Sequence, residues 1–427
     1  MAKEMNQKQL QQKILKCNRC GTCQDVCPTF KVSGDENDVA RSRLRLTRMV
    51  LEGKYSWGSE TEMTSHLQSC LLCKACVTVC PSNVPTDEIM IQARAETNIV
   101  KGLPLFNRLA YRGVFSNNMR LVVLGKLIRF YQKSGTRWVV KNSGVLKLLG
   151  EMGKAEELLP GIPRKTLREM LPEILTPPQD AIRKVTYYPG CAINVFYSQI
   201  GRASIEALQK NKCQVQVSDS VCCGGPHQSG GDFKEAKRLA RENIDSVLLE
   251  NVEAIITDCA TCGSILKEYS ELLEDDEDYR EKAKAFSEKV KDINEFLVGI
   301  NFIREIGTVS GIATYHDPCH LARGQKNSLD AREIIRSIPG LEFREMKEAD
   351  MCCGGAGSYG ALHPEMSRKI LDRKMNNFKE TGADILITSC PACAMQLEYG
   401  MRRHGLAARV LHPVQLIDLA FKASEGK

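Results

Sequence analysis

The apolar positions of this chain follow two different rhythms. Up to about residue 150 they recur at helical spacing. Asp38 to Gly53 (DVARSRLRLTRMVLEG) sets Leu44, Leu46, Met49, Val50 and Leu51 among arginines, which predicts an amphipathic helix whose arginines either form a solvated face or offset negative charge on the thiolate sites that flank it. Shorter helices are expected over Lys3 to Lys16 and over Thr86 to Ile99, the second with Thr86 or Asp87 near its N-cap. From Lys184 onward β-branched runs alternate with amphipathic stretches, the pattern of strands and crossover helices in a parallel sheet. That pattern occurs twice. KVTYYPGC (Lys184 to Cys191) returns as IATYHDPC (Ile312 to Cys319), VCCGG (Val221 to Gly225) as MCCGG (Met351 to Gly355), and EAIITDCATC (Glu253 to Cys262) as ADILITSCPAC (Ala383 to Cys393). The offsets of 128, 130 and 131 residues mark a duplicated unit.

The expected fold class is therefore α+β overall. A helical domain spans 1–150, a linker rich in proline (Pro160, Pro163, Pro172, Pro177, Pro178) spans 151–183, and two tandem α/β units with parallel sheets span 184–310 and 311–427. Glu271 to Lys291 reads as a charged, solvated helix between the halves. Lys101 to Gly150 holds ten Lys or Arg and no Asp or Glu, interleaved with Phe106, Tyr111, Phe115, Phe130, Tyr131 and Trp138. Two readings stay open for it: helices that cover the N-terminal part and dock on a partner subunit, or a basic amphipathic surface at a membrane interface. The net charge of +7 is modest, and no nucleic-acid module accompanies it.

Nineteen cysteines change the picture. The N-terminus lacks the features of a signal peptide and no apolar run is long enough to span a bilayer, so a cytoplasmic protein is expected, peripheral on the inner membrane at most. There, clustered cysteines read as metal ligands rather than disulfides. Cys17, Cys20, Cys23 and Cys27 stand as C-x2-C-x2-C-x3-C followed by Pro28, and Cys70, Cys73, Cys76 and Cys80 repeat the spacing before Pro81. This is the spacing of two-cluster bacterial ferredoxins, where three cysteines of a run hold one [4Fe–4S] cube and the fourth crosses to the other. On that rule Cys17, Cys20, Cys23 and Cys80 hold one cluster, and Cys27, Cys70, Cys73 and Cys76 the second. Paired zinc sites fit less well, because zinc has no use for a triple-then-single rhythm.

Each repeat supplies five more cysteines: Cys191, Cys222, Cys223, Cys259 and Cys262, then Cys319, Cys352, Cys353, Cys390 and Cys393. Cys213 is left over as a core or surface thiol. Adjacent cysteines point apart on an extended chain, and the Gly-Gly that follows frees the backbone to turn both sulfurs toward one object. Four of five around a structural zinc is the alternative in either half. His316 and His320 flank Cys319, either as donors or proton relays beside a metal site or as turn histidines bonded to backbone. His227 carries the same two readings, whereas His66, His363, His404 and His412 read as structural.

These motifs resemble a known family. The lone cysteine, CCG and C-x2-C of each half resemble the cysteine-rich domains of heterodisulfide reductase. Joined to the two ferredoxin-type runs, with CPTF after the first and CPSNV after the second, the chain looks like the glycolate oxidase iron-sulfur subunit family, over about residues 15 to 420. The resemblance implies a noncubane [4Fe–4S] cluster on the five cysteines of one or both halves, in addition to the two cubanes. It implies an FAD-dependent dehydrogenase subunit as partner, with a quinone, an electron-transfer flavoprotein or another carrier as acceptor, and no dehydrogenase activity in the isolated chain. Members of the family often lack one or more of the five cysteines. Two complete sets lean toward a subunit that reduces a disulfide at a noncubane cluster, and a third reading is a quinone-linked glycerol-3-phosphate dehydrogenase subunit. No flavin or nicotinamide motif is present: GPHQSGG (Gly225 to Gly231) lacks the dinucleotide spacing.

Overall fold

The computed structural model describes residues 4–59, 61–105, 107–143, 155–357 and 359–426. Phe106 and the stretch 144–154, where the basic region ends and the linker begins, lie outside the described residues.

The N-terminal part is helical. Asn6 caps Gln7–Leu15 reciprocally with Gln9. Helix Ala40–Leu51 buries Ala40, Arg43, Leu44, Thr47 and Val50, one face at intervals of three and four. One of its arginines is thus not on a solvated face. Arg43 is 2% exposed and donates to Thr29, to Ser69 and to the His66 carbonyl, with Asp38 as its counter-charge. Helix Thr86–Lys101 starts one residue earlier than its capping residues suggest, with Pro85 in the N-cap position. The basic region forms a π-helix, Asn107–Phe115, and helices Asn118–Lys133 and Thr136–Asn142. Its inner face packs on the first repeat more than on the N-terminal part. Arg112 pairs with Asp232 through two bonds of 2.7 and 2.8 Å, Asn118 donates to the Ser220 carbonyl, and Gly125 admits Val195 where a Cβ would stand 2.5 Å from it. The linker carries helix Leu167–Ile174, capped by Thr166, with Leu167 fully buried.

Each repeat is a four-stranded parallel sheet. In the first, β1 (Arg183–Tyr187), β2 (Cys213–Val217), β3 (Ala254–Thr257) and β4 (Val290–Asp292) lie in the order β2-β1-β3-β4. In the second, β5 (Gly311–His316), β6 (Leu341–Phe343), β7 (Ile385–Thr388) and β8 (Arg409–Leu411) lie in the order β6-β5-β7-β8. β3 and β7 are buried at every residue, as central strands covered on both faces must be. Glu271 to Lys291 is not one solvated helix. It breaks into Tyr269–Leu272 and Arg280–Lys289, buries Phe286, and feeds β4.

The halves meet at their strand C-termini. The Ala260 N–H donates to the Ser389 carbonyl at 3.1 Å, and Asn294 reaches the Ser389 hydroxyl at 3.1 Å. One apolar core runs from Leu10 through both sheets to Phe421, so the helical part and the two repeats share their interior.

Candidate metal centres and the cavity between them

The N-terminal loops turn sharply at residues with positive φ. Arg19, Gly21, Leu72 and Lys74 have φ of 61, 87, 54 and 59°, and such corners swing successive thiols to one side. Two hollows result. Cys17, Cys20, Cys23, Cys76 and Cys80 line one of about 30 Å³, and Cys27, Cys70, Cys73 and Cys76 line another of about 20 Å³, so Cys76 borders both. Burial and mutual repulsion push the Cys73 and Cys76 thiols up, so as bare thiols they stay protonated. Cations stand close by. Burial works against the charge of Arg43, yet Cys70, Cys27 and Asp38 hold its pKa up. Arg323 behaves likewise beside Cys73. A tight hollow with four thiols and fixed positive charge beside them fits a cluster of net negative charge better than a lone divalent ion.

The cysteines of the repeats sit past the strand C-termini, where parallel sheets place their ligands. Cys191 follows β1, Cys259 follows β3, Cys319 follows β5 and Cys390 follows β7. They form one file. Neighbouring thiols shift one another's protonation in sequence, Cys191 with Cys222, Cys222 with Cys223, Cys223 with Cys262 and Cys262 with Cys259. Cys259 is coupled in the same way across the domain junction to Cys390, whose sulfur lies 3.6 Å from the Thr261 hydroxyl, and the file continues through Cys393, Cys353 and Cys352 to Cys319. Cys73 of the second N-terminal run faces Cys352 and Cys319. Cys213 lies apart, fully buried on β2.

The second repeat has the richer surroundings. His316 is fully buried at the end of β5, with neither ring nitrogen partnered, and groups with Cys353 and Cys393 within 4.8 Å. Burial drives its pKa down to about 3, so it stands there neutral, able to bind a metal or donate to sulfur. His320 lies 3.5 Å from the Cys319 sulfur. Asp317 and Arg332 pair through bonds of 2.7 and 2.6 Å and pin the turn that carries Cys319. Lys374 is fully buried, donates to the carbonyls of Glu348 and Ala349, and is drawn down to about 8 by burial. Sequence reasoning missed Lys374, although the stripe Ile370, Leu371, Lys374, Met375 and Phe378 puts it on the apolar face of helix Pro364–Thr381. The same stripe logic would have found Arg43.

The other histidines divide. His227 sits between Ser116 at 3.1 Å and Asp232 at 3.6 Å. His412 caps helix Pro413–Ser424, His404 pairs with Asp372, and His66 with Asp38. His363 lines a cavity of about 290 Å³ bounded by the helical part and both repeats, with Cys319, Cys352, Cys353, Cys390 and Cys393 on its wall.

Family models match the whole organisation. A 4Fe-4S dicluster domain covers 13–84, the linker region of the glycolate oxidase iron-sulfur subunit covers 102–159, and the cysteine-rich domain matches twice, at 185–267 and 313–398. The chain is 34% identical over 423 residues to the probable glycolate oxidase iron-sulfur subunit of Bacillus subtilis, covering 97% of this chain and 95% of that one. It belongs to the glycolate oxidase iron-sulfur subunit family. The Escherichia coli glycolate oxidase iron-sulfur subunit is 26% identical over 95% of this chain and 94% of its own length. A lactate utilization protein of Geobacillus is 29% identical over 55% of this chain and 99% of its own length. Among the described residues no helix is long and apolar enough to cross a membrane.

Proposed function

We infer that this chain is the iron-sulfur electron-transfer subunit of a flavin-dependent 2-hydroxyacid dehydrogenase complex of glycolate or D-lactate type. The file of thiols from the N-terminal hollows through Cys319 and Cys390 to Cys191 carries this reading, because it offers consecutive sites along one path. Cys17, Cys20, Cys23 and Cys80 would hold one cubane and Cys27, Cys70, Cys73 and Cys76 the other, with a noncubane cluster on the five cysteines of each repeat. Bound clusters of this kind relay single electrons from a two-electron flavin. The residues of this chain bury the sites, supply Arg43, Arg323 and Lys374 as compensating charge, and hold the sulfurs at the strand ends. The flavin sits on a partner polypeptide.

The test is anaerobic purification with the genomic neighbours co-expressed. A flavoprotein should accompany the chain, the chain alone should not oxidise glycolate or D-lactate, and iron should reach about 16 atoms per chain for four clusters. A colourless chain that binds zinc alone would end the reading. The two complete five-cysteine sets favour a second function, disulfide reduction at one repeat. Cleavage of a small disulfide by the isolated reduced chain would establish that instead.

A further inference from the structure

The cavity between the helical part and the two repeats is larger than a cluster needs. The hollows at the two N-terminal cysteine sets measure about 20 and 30 Å³, whereas this one measures about 290 Å³ on the same scale. Cys319, Cys352, Cys353, Cys390 and Cys393 line it on one side, and Cys70 of the second N-terminal set lines it too. The first repeat's cysteines do not line it.

Its chemistry is mixed in a particular way. Leu71, Leu72, Ile91, Tyr111 and Ile265 form apolar walls, while Asn107, Arg94 and His320 place polar groups among them. The Asn107 Oδ1 and the Arg94 Nε are buried without a partner. Both π-helices of the described chain contribute, Asn107–Phe115 through Asn107 and Tyr111 and His320–Gly324 through His320, and π segments gather at functional sites. Pro104, Ala356, Gly357 and Leu362 line it and are exposed, which puts its mouth between the basic region and the turn after the second CCG.

The same stretch that walls the cavity is apolar on its outside. Asn98, Pro104, Asn107 and Tyr111 face in, and Ile99, Val100, Leu105 and Leu109 are 75, 64, 67 and 61% exposed. Beyond them Met119, Leu127, Phe130 and Trp138 extend the exposed apolar surface at 74, 61, 67 and 71%, within a region that has basic but no acidic side chains. Surfaces of that composition favour the interface of an anionic bilayer. A lipid-soluble ligand would therefore meet the mouth directly from the membrane.

We propose that this cavity binds the ring of a membrane quinone against the cysteine site of the second repeat, making that repeat the exit of the electron path. The inference rests on the dehydrogenase reading above. Oxidation of one 2-hydroxyacid to the 2-oxoacid releases two electrons and two protons, and reduction of one quinone to quinol takes up two of each, the protons coming from solvent. No further co-reactant is needed.

The experiment uses the purified, iron-loaded chain and a photoreactive azidoquinone, with cross-links mapped by mass spectrometry. Labels should fall on peptides carrying residues 91–111 and 356–363, and excess decylubiquinone should remove them. Leu362→Trp at the exposed mouth and Asn107→Leu should each lower labelling at least tenfold. They should slow reoxidation of the reduced chain by decylubiquinone to the same degree while ferricyanide reoxidises it as before. Leu127→Ser, on the outer surface, should leave cavity labelling intact. Labels confined to the outer apolar surface, labelling indifferent to both cavity variants, or protection by a small disulfide but not by decylubiquinone would each overturn the proposal. Full iron and a co-purifying flavoprotein without cavity labelling would sink this inference alone. Cavity labelling without a flavoprotein partner would support it and sink the dehydrogenase reading.

Discussion

The two repeats share a fold and a cysteine pattern, yet the groups around their sulfurs differ in charge. Position by position the first repeat carries Tyr188, Asp258 and Asn243 where the second has His316, Ser389 and, beside Arg373, Lys374. Tyr188 spends its hydroxyl on the Val221 carbonyl at 2.8 Å, and Asn243 bonds the Val221 N–H and the Cys222 carbonyl at 3.0 Å each, so that CCG segment is clamped by neutral groups. Asp258 lies fully buried on Tyr187 and Ser204, at 2.5 and 2.7 Å, and burial raises it to about 6. The second repeat has instead a buried ammonium and an unpartnered imidazole. A covering helix, Gly225–Ser229, follows the first CCG, whereas an exposed turn at Ala356 and Gly357 follows the second. One copy is closed and tends negative; the other is open and tends positive. Added negative charge is more stable beside the second, since in a low-dielectric interior a fixed cation lowers the energy of a reduced neighbour. On the reading proposed above, a cluster in the second repeat would be the easier of the two to reduce.

The strongest way to break this comparison is to remove one site at a time. Cys319→Ala should abolish electron delivery to quinone, by about 100-fold or more, and Cys191→Ala should cost far less if the first repeat is a branch rather than the exit; each should lose about 4 irons. Equal losses of turnover would erase the distinction. Next in size is an opposite pH response of the two sheets. Asp292 at the end of β4 and His412 after β8 both cap the following helix, and burial raises the first to about 7 and lowers the second to about 3. Between pH about 4 and 7 native Asp292 keeps a proton that the unfolded chain has lost, so its contribution falls as pH rises. Native His412 stays neutral where the unfolded chain is protonated, so its contribution falls as pH drops below about 6.5. Each is worth about 4 kcal/mol at full extent. Hydrogen exchange should show β3 and β4 better protected at pH 5 than at pH 8, and β7 and β8 the reverse, with Asp292→Asn flattening the first trend.

A finer effect concerns potential. In redox titrations followed by electron paramagnetic resonance, Lys374→Met should lower the potential of the second repeat's signal by about 60 mV, a tenfold shift for one electron, and leave the others in place. An unmoved signal would show that the ammonium is screened by its carbonyls. Smallest is the imidazole itself. His316→Tyr, which copies the first repeat, should shift the spectroscopic signature of the second site toward that of the first while iron content holds.

Much of the site was legible in the chain because thiolate chemistry is written in spacing. Two-residue gaps, a CCG and a C-x2-C name the candidate ligands without any knowledge of how the domains dock, and the repeat at about 130 residues names the duplicated α/β unit. Helix Ala40–Leu51 was legible for the same local reason, its periodicity. Burial of Arg43 and Lys374 was partly legible, since both fall on apolar stripes, but a charged residue on a stripe reads as solvated until its partners are known. β4 was hidden because three residues, Val290 to Asp292, carry too little pattern to separate from the charged helix before them.

The sequence alone determined the grouped thiol sets, the doubled architecture and the family, because each depends on residue type at short separation. Only the tertiary structure decided that the cysteines of both repeats and of the second N-terminal run form one file, and that the second repeat opens on a cavity while the first is closed. Those features arise where side chains hundreds of residues apart meet, as Cys73 does with Cys352 and Asn107 with the wall that carries Cys319. Such meetings are fixed by packing of whole domains over one shared core, and no local pattern in the chain encodes them.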